Sequence, residues 1–188
     1  MRLIHCADIH LDSKLSANLD ANKRKIRRQE LLKSFENMIG YAVNNDIKVI
    51  LIAGDLFDTD SVTKTVSNAV YSAVESNPDI EFYYLKGNHD NNSFLASLDC
   101  IPDNLHMFGE TLTTYMLADR IALSGIELSG DNAFEIYDAM TLDTRNFNIL
   151  TLHGQIYETA SKDKAENINL SLLKNKSIDY LALGHVHR

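Results

Sequence analysis

Residues 48–58, KVILIAGDLFD, decide the fold. Val49–Ala53 is an unbroken aliphatic run, too short to cross a membrane and of the kind that forms a buried strand. It ends abruptly in Gly54-Asp55, with Asp58 three residues further on. A strand that closes on a glycine and a carboxylate places a polar group at its carboxyl end. In open α/β sheets that end is where loops from different strands meet.

The pattern recurs on both sides of this stretch. Leu3–Ala7 runs into Asp8-Ile9-His10, and Ile80–Leu85 is followed after Lys86 by Gly87-Asn88-His89-Asp90. Phe147–Leu152 leads to His153-Gly154, and Asp179–Leu183 leads to Gly184-His185-Val186-His187. Helical spacing fills the intervals. Leu31, Leu32, Phe35, Met38, Ile39, Ala42 and Val43 predict an amphipathic helix over 23–43. A second is expected over 62–76, ending at Asn77-Pro78. Shorter extended pieces are expected over 105–126, and further helices near 131–140 and 164–174. The alternation reads as an α/β sandwich whose sheet is largely parallel at the start.

Composition narrows the class. The chain has 188 residues, 45% hydrophobic and 23% charged, which suits one folded domain without linker or repeat. Eighteen basic against 26 acidic residues give a net charge of −8, which argues against nucleic-acid binding by bulk positive charge. Cys6 and Cys100 have no paired spacing, so neither a disulfide framework nor a cysteine zinc site is indicated. Both are read as buried bystanders. No stretch at the amino terminus resembles a signal peptide, and the expected location is cytoplasmic.

The donor inventory points to metal. Asp8, His10, Asp55, Asn88, His153, His185 and His187 offer seven nitrogen or oxygen donors and no sulfur. That exceeds what one tetrahedral zinc needs. Two divalent ions sharing a bridging carboxylate use all seven, with Asp55 the natural bridge. Such pairs lie about 3.5–4 Å apart and serve phosphoryl displacement. Imidazole-rich donors favour manganese, iron or zinc over magnesium and calcium. His5 and His106 are assigned to structure.

These motifs, HCADIHLD, AGDLFDTD, KGNHD and ALGHVH, resemble the calcineurin-like metallophosphoesterase superfamily, and within it the nuclease subunit of the bacterial SbcCD complex and its relatives. The resemblance covers residues 3–188. It implies a four-layer α/β/β/α sandwich over 1–188. It also implies two divalent ions, manganese before iron or zinc. Asp8, His10, Asp55 and His187 would hold one ion, and Asp55, Asn88, His153 and His185 the second. His89 takes the catalytic place, oriented by Asp58. The implied reaction is exonuclease or endonuclease hydrolysis of DNA phosphodiester bonds by a metal-activated water. The phosphoprotein phosphatase branch is disfavoured, because Thr59-Asp60 follows Asp58 where an Arg-Gly pair is expected.

A basic cluster, Lys23, Arg24, Lys25, Arg27 and Arg28, is the candidate contact to DNA phosphates. The resemblance adds a homodimer and an SbcC-like ATPase subunit as partners. The family's capping region, which also helps dock the ATPase, is expected to be absent, since the sequence stops one residue after His187. Two rivals stand beside this reading. One is a nucleotide-sized phosphodiesterase or phosphomonoesterase. The other is a non-catalytic scaffold of the same fold, in which ligands or the catalytic histidine are usually lost; here all are present.

Overall fold

Strand β2 (Val49–Ala53) is buried at all five positions because it has a strand on each edge and packing on each face. The computed structural model describes residues 1–15, 19–58, 62–129, 132, 135–157 and 167–187. β1 (Ile4–Cys6), β2, β3 (Glu81–Leu85) and β4 (Leu105–Met107) form a wholly parallel sheet in that order. Helices α1 (Ala21–Asn44) and α2 (Lys64–Glu75) make its first two crossovers, and a short α3 (Ser93–Ala96) lies in the third.

A second sheet is ordered β10 (Tyr180–Gly184), β7 (Phe147–His153), β6 (Ile121–Gly125), β5 (Thr113–Ala118). Its first three strands run parallel, and β5 returns antiparallel on β6. Short helices α4 (Glu135–Ala139) and α5 (Leu170–Leu173) and a parallel ribbon of β8 (Gln155–Tyr157) with β9 (Asn167–Asn169) complete the described elements.

Side-chain alternation, with its period of two, sorts the core into three clusters. Ile50, Ile52, Phe82 and Tyr84 pack with Phe35, Ile39 and Ala42 of α1 and Val70 and Val74 of α2. Their neighbours Val49, Leu51, Tyr83 and Leu85 turn the other way, onto Leu123, Ile149 and Ala182 of the second sheet. Leu150 and Leu152 of β7 then meet Ile136, Tyr137, Ile168 and Leu173 on the far side. Each fully buried aliphatic side chain contributes about 1.5–3 kcal/mol.

The expected strands and the first two helices fall within two residues of their predicted bounds. The helix expected near 164–174 is corrected: residues 167–169 pair with β8 as a strand, and only Leu170–Leu173 is helical. Residues 158–166 lie outside the described residues. Cys100 is also corrected. It is exposed in the turn after α3, 3.4 Å from the Tyr71 hydroxyl. Cys6 is part-buried, and burial pushes its thiol up to about 12, which leaves it inert as a nucleophile. Among the described residues no helix is long and apolar enough to cross a membrane.

Candidate metal centre

Because β1, β2 and β3 are mutually parallel, as are β6, β7 and β10, the loops after their carboxyl ends emerge on shared edges. Asp8 and His10 follow β1, Asp55 and Asp58 follow β2, and Asn88, His89 and Asp90 follow β3. His153 closes β7, and His185 and His187 follow β10.

The loops have an uncommon backbone. Asp8, His10, Asp12, Asp55 and His185 all have positive φ, at 55°, 52°, 60°, 51° and 106°. For residues other than glycine this is sparsely populated space that costs energy and gathers at functional sites. Alternating left-handed residues in Asp8–Asp12 curl the loop inward, and backbone bonds zip it to the next one. Asp8 N and His10 N donate to Gly54 O and Asp55 O at 3.0 and 3.1 Å, and Leu11 N donates to Leu56 O at 2.8 Å.

Three groups of donors converge: Asp8, His10 and His187; Asp55, His153 and His185; and His10, Asp58 and His89. In the first, His10 Nε2 lies 2.9 Å from His187 Nε2, and His187 Nε2 is 3.6 Å from Asp8 Oδ1. In the second, His153 Nε2 is 3.2 Å from Asp55 Oδ2, and Asn88 Oδ1 lies 3.2 Å from His153 Nε2 and 3.0 Å from His185 Nδ1. Asp55 Oδ2 is also 3.9 Å from His10 Nε2, so this buried oxygen stands between the two groups.

This donor set fits divalent metal. Two ring nitrogens, each with a lone pair when deprotonated, face one another at 2.9 Å, and carboxylates close on both groups. His153 Nδ1 donates to Ala53 O at 2.9 Å, which turns Nε2 inward as the free donor. Burial raises the Asp55 carboxyl, but the hydrogen bond and charge of His153 outweigh it and hold Asp55 below the ordinary carboxylate range. Burial likewise lowers His153, and Asp55 with the Ala53 carbonyl carries it above its ordinary value.

The sequence pattern described as calcineurin-like phosphoesterase matches residues 1–188. The chain belongs to this family. A DNA double-strand break repair protein Mre11 from Methanosarcina acetivorans is 26% identical over 200 residues, covering 100% of this chain and 31% of that protein. Mre11 of Saccharolobus solfataricus is 24% identical, covering 100% of this chain and 49% of its own length. An uncharacterized metallophosphoesterase of Bacillus subtilis, YhaO, is 27% identical with 100% and 49% covered. The chain thus spans about a third to a half of the length of these curated relatives.

Within this phosphoesterase site, His89 belongs with Asp58. Its Nδ1 is 2.7 Å from Asp58 Oδ1, and a carboxylate there can only accept, so Nδ1 carries a proton. That leaves Nε2 as the free edge of a half-exposed ring. His89 N donates to Asp55 Oδ1 at 2.9 Å, tying it to the central carboxylate. His5 and His106 stand outside the site, at 2.9 Å from Tyr180 Oη and 2.6 Å from Glu81 Oε2.

Three residues carry more than the motifs suggested. Asp90 reads as a turn residue, yet its carboxylate accepts from Phe57 N at 2.8 Å, Gly87 N at 2.9 Å and Leu56 N at 3.2 Å, clamping the β2 and β3 loops together. Asp12 accepts from Thr63 N at 2.7 Å at the start of α2. Ser13 Oγ donates to Asp58 Oδ2 at 2.6 Å. A carboxylate or hydroxyl two or three residues after a ligand was the available signal. Gly87 is required sterically: a Cβ there would run into the Asp55 carboxylate and come within 2.7 Å of His153 Nε2.

The basic cluster divides on the first turns of α1. Lys23 pairs with Asp20 at 3.3 Å and Arg27 with Glu30 at 2.7 Å, all exposed. Arg24, Lys25 and Arg28 line, with Lys14, Asp12 and Thr63, a groove of about 660 Å³. Arg28 is further committed inside the protein, since its Nε donates to Ser13 O at 2.8 Å.

Proposed function

We propose that residues 1–188 are the nuclease catalytic domain of a two-metal phosphodiesterase, built as a four-layer sandwich and acting on DNA as an exonuclease or endonuclease. One observation carries the reading. Asp55 Oδ2 stands between two imidazole groups, while His89 beside them keeps a free Nε2. Asp8, His10, Asp55 and His187 would hold one divalent ion, and Asp55, Asn88, His153 and His185 the other, with manganese the first choice. Ions held there polarise phosphoryl oxygens and acidify water.

The chain's own residues do the rest. Asp55 spaces the two donor groups, and the Asp90 clamp fixes the β2 and β3 loops that carry Asp55 and Asn88. Asp58 accepts from His89 Nδ1 and fixes the orientation of the ring. His89 Nε2 then presents a proton toward the oxygen that leaves phosphorus. Arg24, Lys25 and Arg28 in the groove, with Lys23 and Arg27 beside them on α1, offer positive charge to the strand backbone. The relatives named as DNA break repair proteins support DNA as the polymer, and a homodimer, an SbcC-like ATPase partner and a cytoplasmic setting belong to the same proposal. The net charge of −8 favours the second reading, a nucleotide-sized phosphoester.

An end-labelled linear duplex with manganese, treated with wild type and His89→Ala, tests this beside a chromogenic phosphodiester. Degradation of both substrates by wild type alone is expected. Turnover of the ester with intact DNA would transfer the proposal to small substrates, and no turnover of either would overturn it.

A further inference from the structure

We infer that Ser13 is a positioning residue for His89, acting through Asp58; this rests on the phosphodiesterase reading above. A carboxylate turns readily about its last torsion, so one bond from Asp58 Oδ1 to His89 Nδ1 at 2.7 Å leaves the pair loosely aimed. Ser13 removes that freedom. Its hydroxyl donates to the second oxygen, Asp58 Oδ2, at 2.6 Å. With Oδ2 held, Oδ1 is fixed between His89 Nδ1 and His10 Nδ1, the latter 3.8 Å away.

Ser13 is itself held. It is buried, at 7% exposure, and its backbone N donates to His10 O at 3.3 Å. Arg28 of α1 donates from Nε to Ser13 O at 2.8 Å. Leu11 and Phe57 form a parallel bridge, and Asp58 N donates to Leu11 O at 3.1 Å, so Ser13 and Asp58 are brought alongside by the backbone. The line from Arg28 through Ser13 and Asp58 to His89 links the outer helix to the proton-bearing imidazole. None of its first three members needs to touch substrate for this role.

The test compares wild type, Ser13→Ala and Ser13→Thr in the full chain. Manganese-dependent hydrolysis of bis-p-nitrophenyl phosphate gives kcat and KM, calorimetry gives manganese binding, and proton–nitrogen NMR of the zinc-loaded protein follows His89 Nδ1–H. Ser13→Ala is expected to lower kcat about 10- to 100-fold, with KM and manganese binding unchanged and the His89 Nδ1–H signal lost to exchange. Ser13→Thr keeps the hydroxyl and is expected to retain both rate and signal. An unchanged His89 signal in Ser13→Ala, equal losses in both variants, or a fall in manganese binding that parallels kcat would each overturn the assignment. If wild type turns over neither the ester nor DNA, the phosphodiesterase reading falls, and the NMR comparison alone decides the role of Ser13.

Discussion

The two sheets contribute to the site in different ways. The loops of the first sheet, after β1, β2 and β3, are stitched to one another before any ligand arrives: Asp90 holds Leu56, Phe57 and Gly87, and Ser13 holds Asp58. The second sheet offers three histidines with less support. His153 is buried and anchored on Ala53 O, but His187 is exposed and, among the described residues, makes polar contacts only with His10 and Asp8. The first half is therefore a preformed cradle, whereas the second relies on His187, its least supported imidazole, to close the first donor group. Preformation removes ordering cost at the moment of binding, and the half lacking it bears that cost.

The comparison breaks most visibly at Asp55, which both halves share. Asp55→Asn should lower turnover of a chromogenic phosphodiester by more than the ~100-fold that marks the upper range for groups behind a ligand. Calorimetry with manganese should show both binding events weakened. His187→Ala, in the loosely held half, should weaken one event and leave the other, which sharpens the contrast.

Asp90→Ala should mainly cost stability. Three backbone donors lose their acceptor, and at about 1–3 kcal/mol for each buried unsatisfied group the loss is ~2–5 kcal/mol once water reaches the loops. Urea unfolding of the metal-free chain measures it. A comparable loss in His187→Ala would contradict the asymmetry.

Reversing Arg24 and Lys25 together should lower the dependence of log DNA affinity on log salt by about 2, seen in filter binding across a salt series, with the ester rate unchanged. The smallest effect is expected at Arg27→Ala. Its ion pair with Glu30 is exposed, so thermal unfolding should register less than ~1 kcal/mol.

Much of this was legible in the sequence because parallel strands announce themselves. A run such as Val49–Ala53 buries both faces and can only lie inside a sheet, and a histidine or aspartate at its carboxyl end has few structural employments. The candidate donors Asp8, His10, Asp55, His153, His185 and His187, which the structure brings together, were read that way. Asp90, Asp12 and Ser13 escaped because their partners are backbone N–H groups or a carboxylate on other loops, and no periodicity records such a bond. The positive φ values at Asp8, His10 and Asp12 were hidden for a similar reason. Local propensity disfavours them, and only the backbone bonds to the β2 loop hold them. The strand at Asn167–Asn169 was missed since a three-residue ribbon carries too little pattern to outweigh neighbouring helix formers.

The joining of the chain's first and last strands at the site also sets a schedule. Both carboxylate oxygens of Asp8 accept from the backbone of His185, 177 residues away, at 2.9 Å. At roughly 5–20 residues per second of synthesis, Asp8 waits about 10–35 s after leaving the ribosome's catalytic centre before His185 has been made. Once the loop after β3 has been made, the residues that stitch the first-sheet loops are all present while His185 and His187 are still missing. Completion of the proposed metal centre is thereby deferred to the last strand, and a chain interrupted before β10 lacks two of the seven candidate donors, His185 and His187.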